Sequence, residues 1–218
     1  QKKKLIKTKI KWISKISKID KSPSIFLANE FFDALAIKQF QKKRRVWFEK
    51  YINLENSGEP FFFTKKIDIK KIEKKIQLNI FKNQKFIEYS ELGLNYLKEI
   101  SKIINKNDGG LLLIDYGSTN EKMKNTLRGI SKHKFANILD NIGNVDITHD
   151  INFCLFKKYI NILGGLENNI TTQKNFLIKM GIKKRAEIIS RNQSFIKKAD
   201  IYYRLKKLID ERQMGSRF

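Results

Sequence analysis

The sequence contains little cysteine, little proline and no long apolar run. One cysteine and two prolines occur in 218 residues. The single thiol, Cys154, excludes a disulfide scaffold and a cysteine-rich zinc site, so we expect no metal centre. The longest apolar runs are far shorter than the roughly 20 residues of a membrane-spanning helix, so we expect no membrane insertion. With 41% hydrophobic residues, the chain is too apolar to be disordered and long enough to bury the core of one domain.

Acidic residues are also few, because 22 Asp and Glu face 46 Lys and Arg, which gives a formal net charge of +24. Such a charge first suggests a nucleic acid as partner. Only eight of the basic residues are Arg, however, and Arg is the residue favoured for contacts with base edges. The chain is rich in Lys, Ile and Asn and poor in Ala, which is typical of A/T-rich coding. We therefore expect no specific nucleic-acid partner.

Two short apolar runs, 24–28 and 111–114, have the pattern of strands that are buried on both faces. Apolar residues at helical spacing predict helices over 31–40, 91–105 and 152–163. Buried strands that alternate with helices predict an α/β fold.

Residues 44–90 have a different pattern, of short strands and turns, with a stretch rich in Lys and Ile that fits no element clearly. This change of pattern predicts a small strand-rich insertion in the α/β fold.

Polar residues follow both predicted buried strands. Asn29 and Glu30 come after the first strand, and Asp115 and Tyr116 after the second. Because open α/β sheets bind ligands outside the carboxyl ends of their strands, we expect these residues to line one crevice. Alternative roles are structural: Asn29 could cap the helix predicted after it, and Asp115 could end its strand in a turn.

Several segments, taken together, resemble one known family. They include the run Asn29-Glu30-Phe31-Phe32-Asp33-Ala34, the run Ile114-Asp115-Tyr116-Gly117, and the run Asp146-Ile147-Thr148 with Phe153. The full set of matching positions is 26–35, 110–117, 125–129, His133, 146–153, 172–173, 176–177, 180–182 and 214–218. Their order and spacing resemble the MidA family of S-adenosylmethionine-dependent methyltransferases, which includes the mitochondrial complex I assembly methyltransferase.

The resemblance implies a class I methyltransferase fold, a doubly wound Rossmann-like sheet, with S-adenosyl-L-methionine as cofactor. It also implies protein arginine methylation on a subunit of respiratory complex I, in aid of complex I assembly. No Gly-x-Gly-x-Gly occurs in the chain, so the family's cofactor loop would lie upstream of Gln1 and the cofactor-binding residues are unknown. Residues 1–218 would then be the C-terminal part of one methyltransferase domain, with 44–90 inserted, and we expect this chain alone to be inactive.

The family's catalytic positions would fall on Asn29, Glu30 and Asp33. A carboxylate can bind a guanidinium through two parallel hydrogen bonds, so Glu30 is the first candidate for holding an arginine substrate. Asn29 would form a hydrogen bond near the transferring methyl group. Glu30 and Asp33, three residues apart, would lie on one side of the first turn of the predicted helix, where acids also complement the helix dipole.

Further candidates for substrate binding are Glu88, Asp115, Tyr116, Asp146 and His149. Each has a structural alternative: Glu88 could be a solvated charge before a helix, and a lone His such as His149 is more often structural than catalytic.

Two rival functions remain open: a non-catalytic assembly factor that holds a partner protein on the same surface, and a basic nucleic-acid-binding module. The sequence does not indicate an oligomeric state. It favours the bacterial cytoplasm, because no presequence is visible, with the mitochondrial matrix as the alternative.

Overall fold

The computed structural model describes residues 9–132 and 134–216, so His133 and the last two residues of the segment 214–218 lie outside the described part. In chain order, the strands are β1 (Ser24–Asn29), β2 (Lys38–Lys43), β3 (Val46–Leu54), β4 (Pro60–Lys66), β5 (Phe86–Tyr89), β6 (Gly109–Ile114), β7 (Gly117–Ser118), β8 (Arg128–Ser131), β9 (Lys134–Ala136), β10 (Asp146–Thr148) and β11 (Ile151–Asn152). The helices are α1 (Ile69–Ile76), α2 (Glu91–Asn107), α3 (Phe153–Ile162), α4 (Gln173–Lys179), α5 (Ile182–Ser190) and α6 (Phe195–Ile209).

Strands β1 and β6 form a parallel pair, in register from Ser24 opposite Gly109 to Asn29 opposite Ile114. Gly109 has a φ of +131°, and a Cβ at this position would lie 1.9 Å from the carbonyl oxygen of Ser24. Only glycine therefore lets β6 begin so close to β1. Because the strands are parallel and in register, their carboxyl ends meet at one edge. The strands predicted over 24–28 and 111–114 are confirmed.

One face of this pair packs into the core. Ala28, Leu111 and Leu113 lie against a cluster of buried residues that includes Leu94 and Leu97 of α2. Helix α2 begins at Ser90, whose hydroxyl accepts a hydrogen bond from the amide of Gly93 at 2.9 Å and so caps the helix. Helix α2 confirms the helix predicted over 91–105, and the stripe that it buries consists of Leu94, Leu97, Ile100 and Ile104, while Leu92 is 46% exposed.

The other face of the pair is open in the described residues. Ile25 and Leu27 are 86% and 69% exposed. Ile25 lines a shallow apolar depression together with Pro23 and Leu112. Parallel sheets are normally covered on both faces, so this surface has the character of an interior one.

The second sheet is antiparallel, with the strand order β4-β3-β2-β5. Its first strand begins at Lys38, whereas the predicted insertion began at residue 44. Helix α1 lies between β4 and β5 in the chain. One of its faces buries Phe40, Trp47 and Ile87 against Phe81 and the rest of the core.

The helix predicted over 31–40 is wrong, because residues 31–37 form a turn and β2 follows at once. The apolar spacing that suggested a helix comes from Phe32 in the turn and Phe40 in β2, which enter the core separately and are both fully buried. Strand β2 pairs with β3 on one side and β5 on the other, and these two hydrogen-bonded ladders outweigh local helix propensity.

Smaller elements complete the described chain. Strands β10, β8 and β9 form a three-stranded antiparallel sheet, and β7 pairs in parallel with β11. Helix α3 confirms the helix predicted over 152–163; the side chain of Asn152 caps it by accepting the amide of Leu155 at 2.7 Å. Helices α4, α5 and α6 pack on one another. None of the described helices has both the length and the apolar character to cross a bilayer.

Candidate active site

The carboxyl ends of β1 and β6 bring together three of the predicted site residues. The amide of Glu30 donates to the carbonyl of Ile114 at 2.9 Å and so extends the ladder beyond Asn29. Glu30 has a φ of +45°, which is uncommon for a residue with a side chain. Its carboxylate lies 3.4 Å from the hydroxyl of Tyr116. Asn29, Glu30 and Tyr116 therefore share one edge of the sheet, as the strand ends predicted.

Asp115 lies beneath this edge and is only 1% exposed. Its Oδ2 accepts the amides of Phe32 at 3.0 Å and of Asp33 at 3.2 Å, while its Oδ1 accepts the amide of Tyr116 at 2.9 Å. The carboxylate thus ties the turn after β1 to the end of β6. Its hydrogen-bond partners are backbone amides, so in this structure Asp115 positions the turn that carries Glu30.

Asp33 is also buried, in the turn after β1 and not on a helix. Its Oδ2 accepts the hydroxyl of Thr148 at 2.8 Å, and its Oδ1 is buried with no hydrogen-bond partner among the described residues. Burial, and secondarily the charge of Asp33, raises the pKa of Asp115 to about 6 against the opposing effect of its three amide donors. Two buried carboxyl groups therefore form the floor below Glu30.

Tyr116 is held as a neutral phenol at ordinary pH. Its partial burial, followed by the negative charge of Glu30, raises its pKa above the usual value. The phenol can therefore donate a hydrogen bond to the side chain of Glu30, which is largely exposed.

The segment around His149 anchors the floor from the other side. His149 is buried, and its amide donates to the carbonyl of Asp33 at 3.2 Å. Its ring nitrogens lie 3.3 Å from the carbonyl of Asp150 and 3.2 Å from that of Leu35. Asp146, in contrast, is exposed on β10, where it pairs across the ladder with Ile130. The structure therefore brings His149, and not Asp146, next to the buried acids.

Glu88 is buried on β5, so its alternative role as a solvated charge is excluded. It accepts the hydroxyl and the amide of Thr126, and the side-chain amide of Gln39 at 2.5 Å. The hydroxyl of Thr126 in turn accepts the amide of Asp150 at 2.8 Å, and Asp150 pairs with Arg128 at 2.6 Å.

These links form one hydrogen-bonded network that joins Glu88 to the segment carrying Thr148 and His149. Sequence reasoning did not single out Gln39, Thr126 or Arg128. Positions 126 and 128 lay within a segment that carried the family resemblance, but Gln39 had no sequence signal, since its role depends on the pairing of β2 with β5.

The arrangement suits a cationic ligand. An exposed carboxylate, Glu30, stands over two buried carboxyl groups, and the neutral phenol of Tyr116 adds a donor without adding charge. Within residues 9–132 and 134–216, no cluster of three or more His, Cys, Asp or Glu could hold a metal ion.

Residues 1–169 match the family described as "Putative S-adenosyl-L-methionine-dependent methyltransferase". The chain belongs to this methyltransferase family. The resemblance predicted from the sequence is therefore confirmed, and S-adenosyl-L-methionine is the cofactor of the family.

Named relatives of this methyltransferase chain carry a more specific description. The Danio rerio protein named "Protein arginine methyltransferase NDUFAF7, mitochondrial" is 30% identical over 216 residues, which cover 96% of this chain and 49% of the relative. The homologue from Caenorhabditis elegans is 31% identical over 182 residues, with coverage of 81% and 42%. The chain thus spans about half the length of the curated relatives it matches, and the bacterial cytoplasm expected from the sequence stays a prediction.

Solved structures show the same fold. A protein from Burkholderia thailandensis bound to S-adenosyl-homocysteine gives a TM-score of 0.74 at 19% identity, over 95% of this chain and 54% of that one. A native crystal structure from the same organism also gives 0.74, at 18% identity. The α/β fold class of this methyltransferase is confirmed by these likenesses, while the doubly wound sheet stays a prediction.

Proposed function

We propose that the whole protein is an S-adenosyl-L-methionine-dependent protein arginine methyltransferase that modifies a subunit of respiratory complex I and so aids its assembly. The observation that carries the proposal is the placement of Glu30: exposed, beside Tyr116, above the buried pair Asp33 and Asp115. The printed names of the relatives from Danio rerio and Caenorhabditis elegans support arginine as the target.

An arginine substrate arrives as a guanidinium, because its pKa is far above neutral. The Glu30 carboxylate can accept two of its N–H groups, which fixes the plane of the guanidinium and directs the remaining nitrogen toward the strand ends. The side-chain amide of Asn29 is at the same edge and can accept a further N–H. S-adenosyl-L-methionine supplies an electrophilic methyl group when bound. The residues of this chain contribute orientation and a negative potential, which are effective where charge is positioned in advance.

The strand ends fit a positively charged cofactor group, because the floor contains a buried Asp33 oxygen that has no hydrogen-bond partner in the part of the chain that the structure describes. The glycine-rich loop that the family resemblance implies is not among residues 1–218. We propose that polypeptide corresponding to the remaining length of the relatives packs on the open face at Ile25 and Leu27 and supplies this loop. This chain alone would then lack activity. The relatives' names favour the mitochondrial matrix over the bacterial cytoplasm as the compartment.

The test is the substitution Glu30→Gln in the full-length protein. It keeps the shape of the side chain and removes the charge that holds the guanidinium. Transfer of labelled methyl groups to isolated complex I subunits, followed by amino-acid analysis for methylarginine, should fall by about 100-fold or more.

Glu167→Gln is the matched control, because Glu167 is exposed in a loop, and it should transfer at the normal rate. Binding of S-adenosyl-L-methionine by the Glu30→Gln protein should persist. A wild-type protein that binds the cofactor but forms no methylarginine would reject the proposal in favour of a non-catalytic assembly factor.

A further inference from the structure

The antiparallel sheet has a second face, opposite the one that enters the core. Directly paired residues point to the same face, so the pairs Gln39 with Glu88, Gln39 with Lys50, and Ile52 with Phe62 define it. We call its outer part, on β2, β3 and β4, the lysine face; it consists of Lys43, Lys50, Ile52, Leu54, Phe62 and Lys66.

One half of this sheet face is covered and the other is bare. Over β5 and the near side of β2, the loop segment that contains Asn125 and Thr126 lies on Gln39 and Glu88, which are both buried. Beyond it, Ile52 is 55% exposed and Leu54 is 60% exposed, and Phe62 is also exposed. The chain's own loop segment thus covers one half of this face and leaves room for a second segment beside it.

The charge of the lysine face has one sign. The residues that β2, β3 and β4 direct to this face include three lysines and no carboxylate. The ammonium of Lys50 lies 3.6 Å from the centre of the Phe62 ring, and that of Lys43 lies 5.7 Å from the ring of Phe48. Partial burial lowers the pKa of Lys50 by removing solvent from its ammonium group, against the smaller raising effect of the Glu88 charge. A carboxylate next to it would compensate for that loss of solvation.

The chemistry favours a polypeptide over a nucleic acid. Ile52 and Leu54 are aliphatic and offer no platform for a base, and the Phe62 ring is already covered on one face by Lys50. Bases stack on open aromatic faces, and Arg is favoured for contacts with nucleic acid. An acidic segment with aliphatic side chains would match both the lysines and the bare apolar residues.

We propose that the lysine face docks an extended acidic and aliphatic segment of the protein substrate, next to the side chain to be modified. This inference rests on the proposed function, and it names what that function's substrate carries beside its arginine. The covered half of the same sheet face is tied to the floor of the site: Glu88 accepts the hydroxyl of Thr126, Thr126 accepts the amide of Asp150, and two residues earlier Thr148 donates to Asp33. A substrate would thus present its cation to Glu30 and its acidic segment to the lysines.

Binding of two labelled synthetic peptides to the full-length protein, without cofactor, tests the proposal. In the first peptide, alternating Leu and Glu flank one arginine on both sides; in the second, Lys replaces each Glu. By fluorescence anisotropy, the Leu/Glu peptide should bind at least about tenfold more tightly. Ile52→Glu should weaken its binding about tenfold or more, and so should Lys66→Glu. Equal affinity for both peptides, or no effect of either variant, would overturn the proposal.

The matched control is Ile196→Glu on α6, where the side chain is 80% exposed and far along the chain from the lysine face. It should leave the affinity unchanged. Because Ile52 and Ile196 are both exposed, both variants should unfold at the wild-type temperature. Thermal unfolding checks this and so separates weakened binding from misfolding.

Labelling of an Ile52→Cys variant with a maleimide distinguishes the other occupants. The new thiol should react in the free full-length protein and be protected by the Leu/Glu peptide, while a Phe195→Cys thiol reacts in both states. A thiol at position 52 that is already protected in the free protein would show that the chain itself covers the face. Protection by homopolymer RNA but not by the peptide would assign the face to nucleic acid. Either result overturns the proposal.

The peptide measurement separates this inference from the proposed function, because it needs neither the cofactor nor methyl transfer. A protein that forms no methylarginine yet binds the Leu/Glu peptide through Ile52 would keep the docking face and lose the catalytic role. If the Ile52→Glu variant forms methylarginine with unchanged efficiency and the protein does not prefer the acidic peptide, the catalytic role is kept and the docking face is rejected.

Discussion

The floor of the candidate site and the lysine face hold their charges differently. Asp33 and Asp115 are buried, and Asp115 is fixed by three backbone amides. Lys43 and Lys66 are exposed. Buried charges contribute strongly to geometry and are costly to disturb, whereas exposed charges contribute little to stability and much to attraction. Substitutions should therefore separate the two regions cleanly, by stability in one and by binding in the other.

The largest effect is expected from Asp115→Ala. It leaves the buried amides of Phe32 and Asp33 without an acceptor and frees the turn that carries Glu30. We expect the free energy of unfolding to fall by about 3 kcal/mol, measured by urea denaturation. Asp146→Ala, at an exposed carboxylate on β10, should change it by less than about 0.5 kcal/mol. Equal losses in the two variants would show that Asp115 does not hold the turn.

A smaller loss is expected from His149→Ala. The ring lies between the carbonyls of Leu35 and Asp150 and joins the turn after β1 to the segment after β10. Removing it opens a cavity and deletes a buried hydrogen bond, so we expect a loss of about 2 kcal/mol in thermal or urea denaturation. A stable variant that has lost substrate binding would instead place His149 in direct contact with the substrate.

The pH dependence of stability gives a finer comparison. The pKa of Asp115 is about 6 in the folded chain, above the ordinary value of 3.8, so the folded state holds a proton that the unfolded state releases between these values. The free energy of unfolding should therefore fall as the pH rises from about 4 to about 6.

Urea midpoints measured across that range for the wild type and for Asp115→Asn isolate this contribution. Lys75 lowers the pKa of Glu91, which gives both proteins the same contribution of opposite sign. Subtracting one curve from the other removes it, so the difference in the free energy of unfolding should still fall as the pH rises. Parallel curves would contradict the assignment.

The smallest change in stability is expected at the lysine face. Ile52→Thr replaces an exposed aliphatic side chain with another β-branched residue, which strands accept readily. The free energy of unfolding, measured by urea denaturation, should change by less than about 0.5 kcal/mol. A loss as large as that of His149→Ala would mean that the face is an internal contact of the protein.

Much of the site could be predicted from the sequence because it depends on strand ends. Two buried apolar runs predicted two parallel strands, and parallel strands in one sheet bring Glu30 and Tyr116 to the same edge. The predicted helix over 31–40 failed because residues far along the chain decide that segment: the carboxylate of Asp115 accepts its amides, and β3 and β5 pair with its second half. Local periodicity contains no information about such partners.

The burial of Glu88 could not be predicted for a similar reason. In the sequence it is one charge before a helix, and its partners Gln39 and Thr126 are tens of residues away on either side. The lysine face was hidden for the opposite reason, since lysines occur throughout the chain and only the cross-strand register selects three of them.

The pairing of β1 with β6 also has a consequence for the order in which the protein folds. Phe32 and Asp115 are joined by a hydrogen bond across 83 residues, while the antiparallel sheet and α2 form from neighbours within that loop. Closing a loop of this length costs entropy that local hairpins avoid, so contacts of long sequence separation form late. In pulsed hydrogen exchange, the amides of β2 and β3 should become protected before those of Phe32 and Asp33. The candidate site would then be assembled in the last step of folding. A newly made chain would expose its lysine face before Glu30 and Tyr116 have come together.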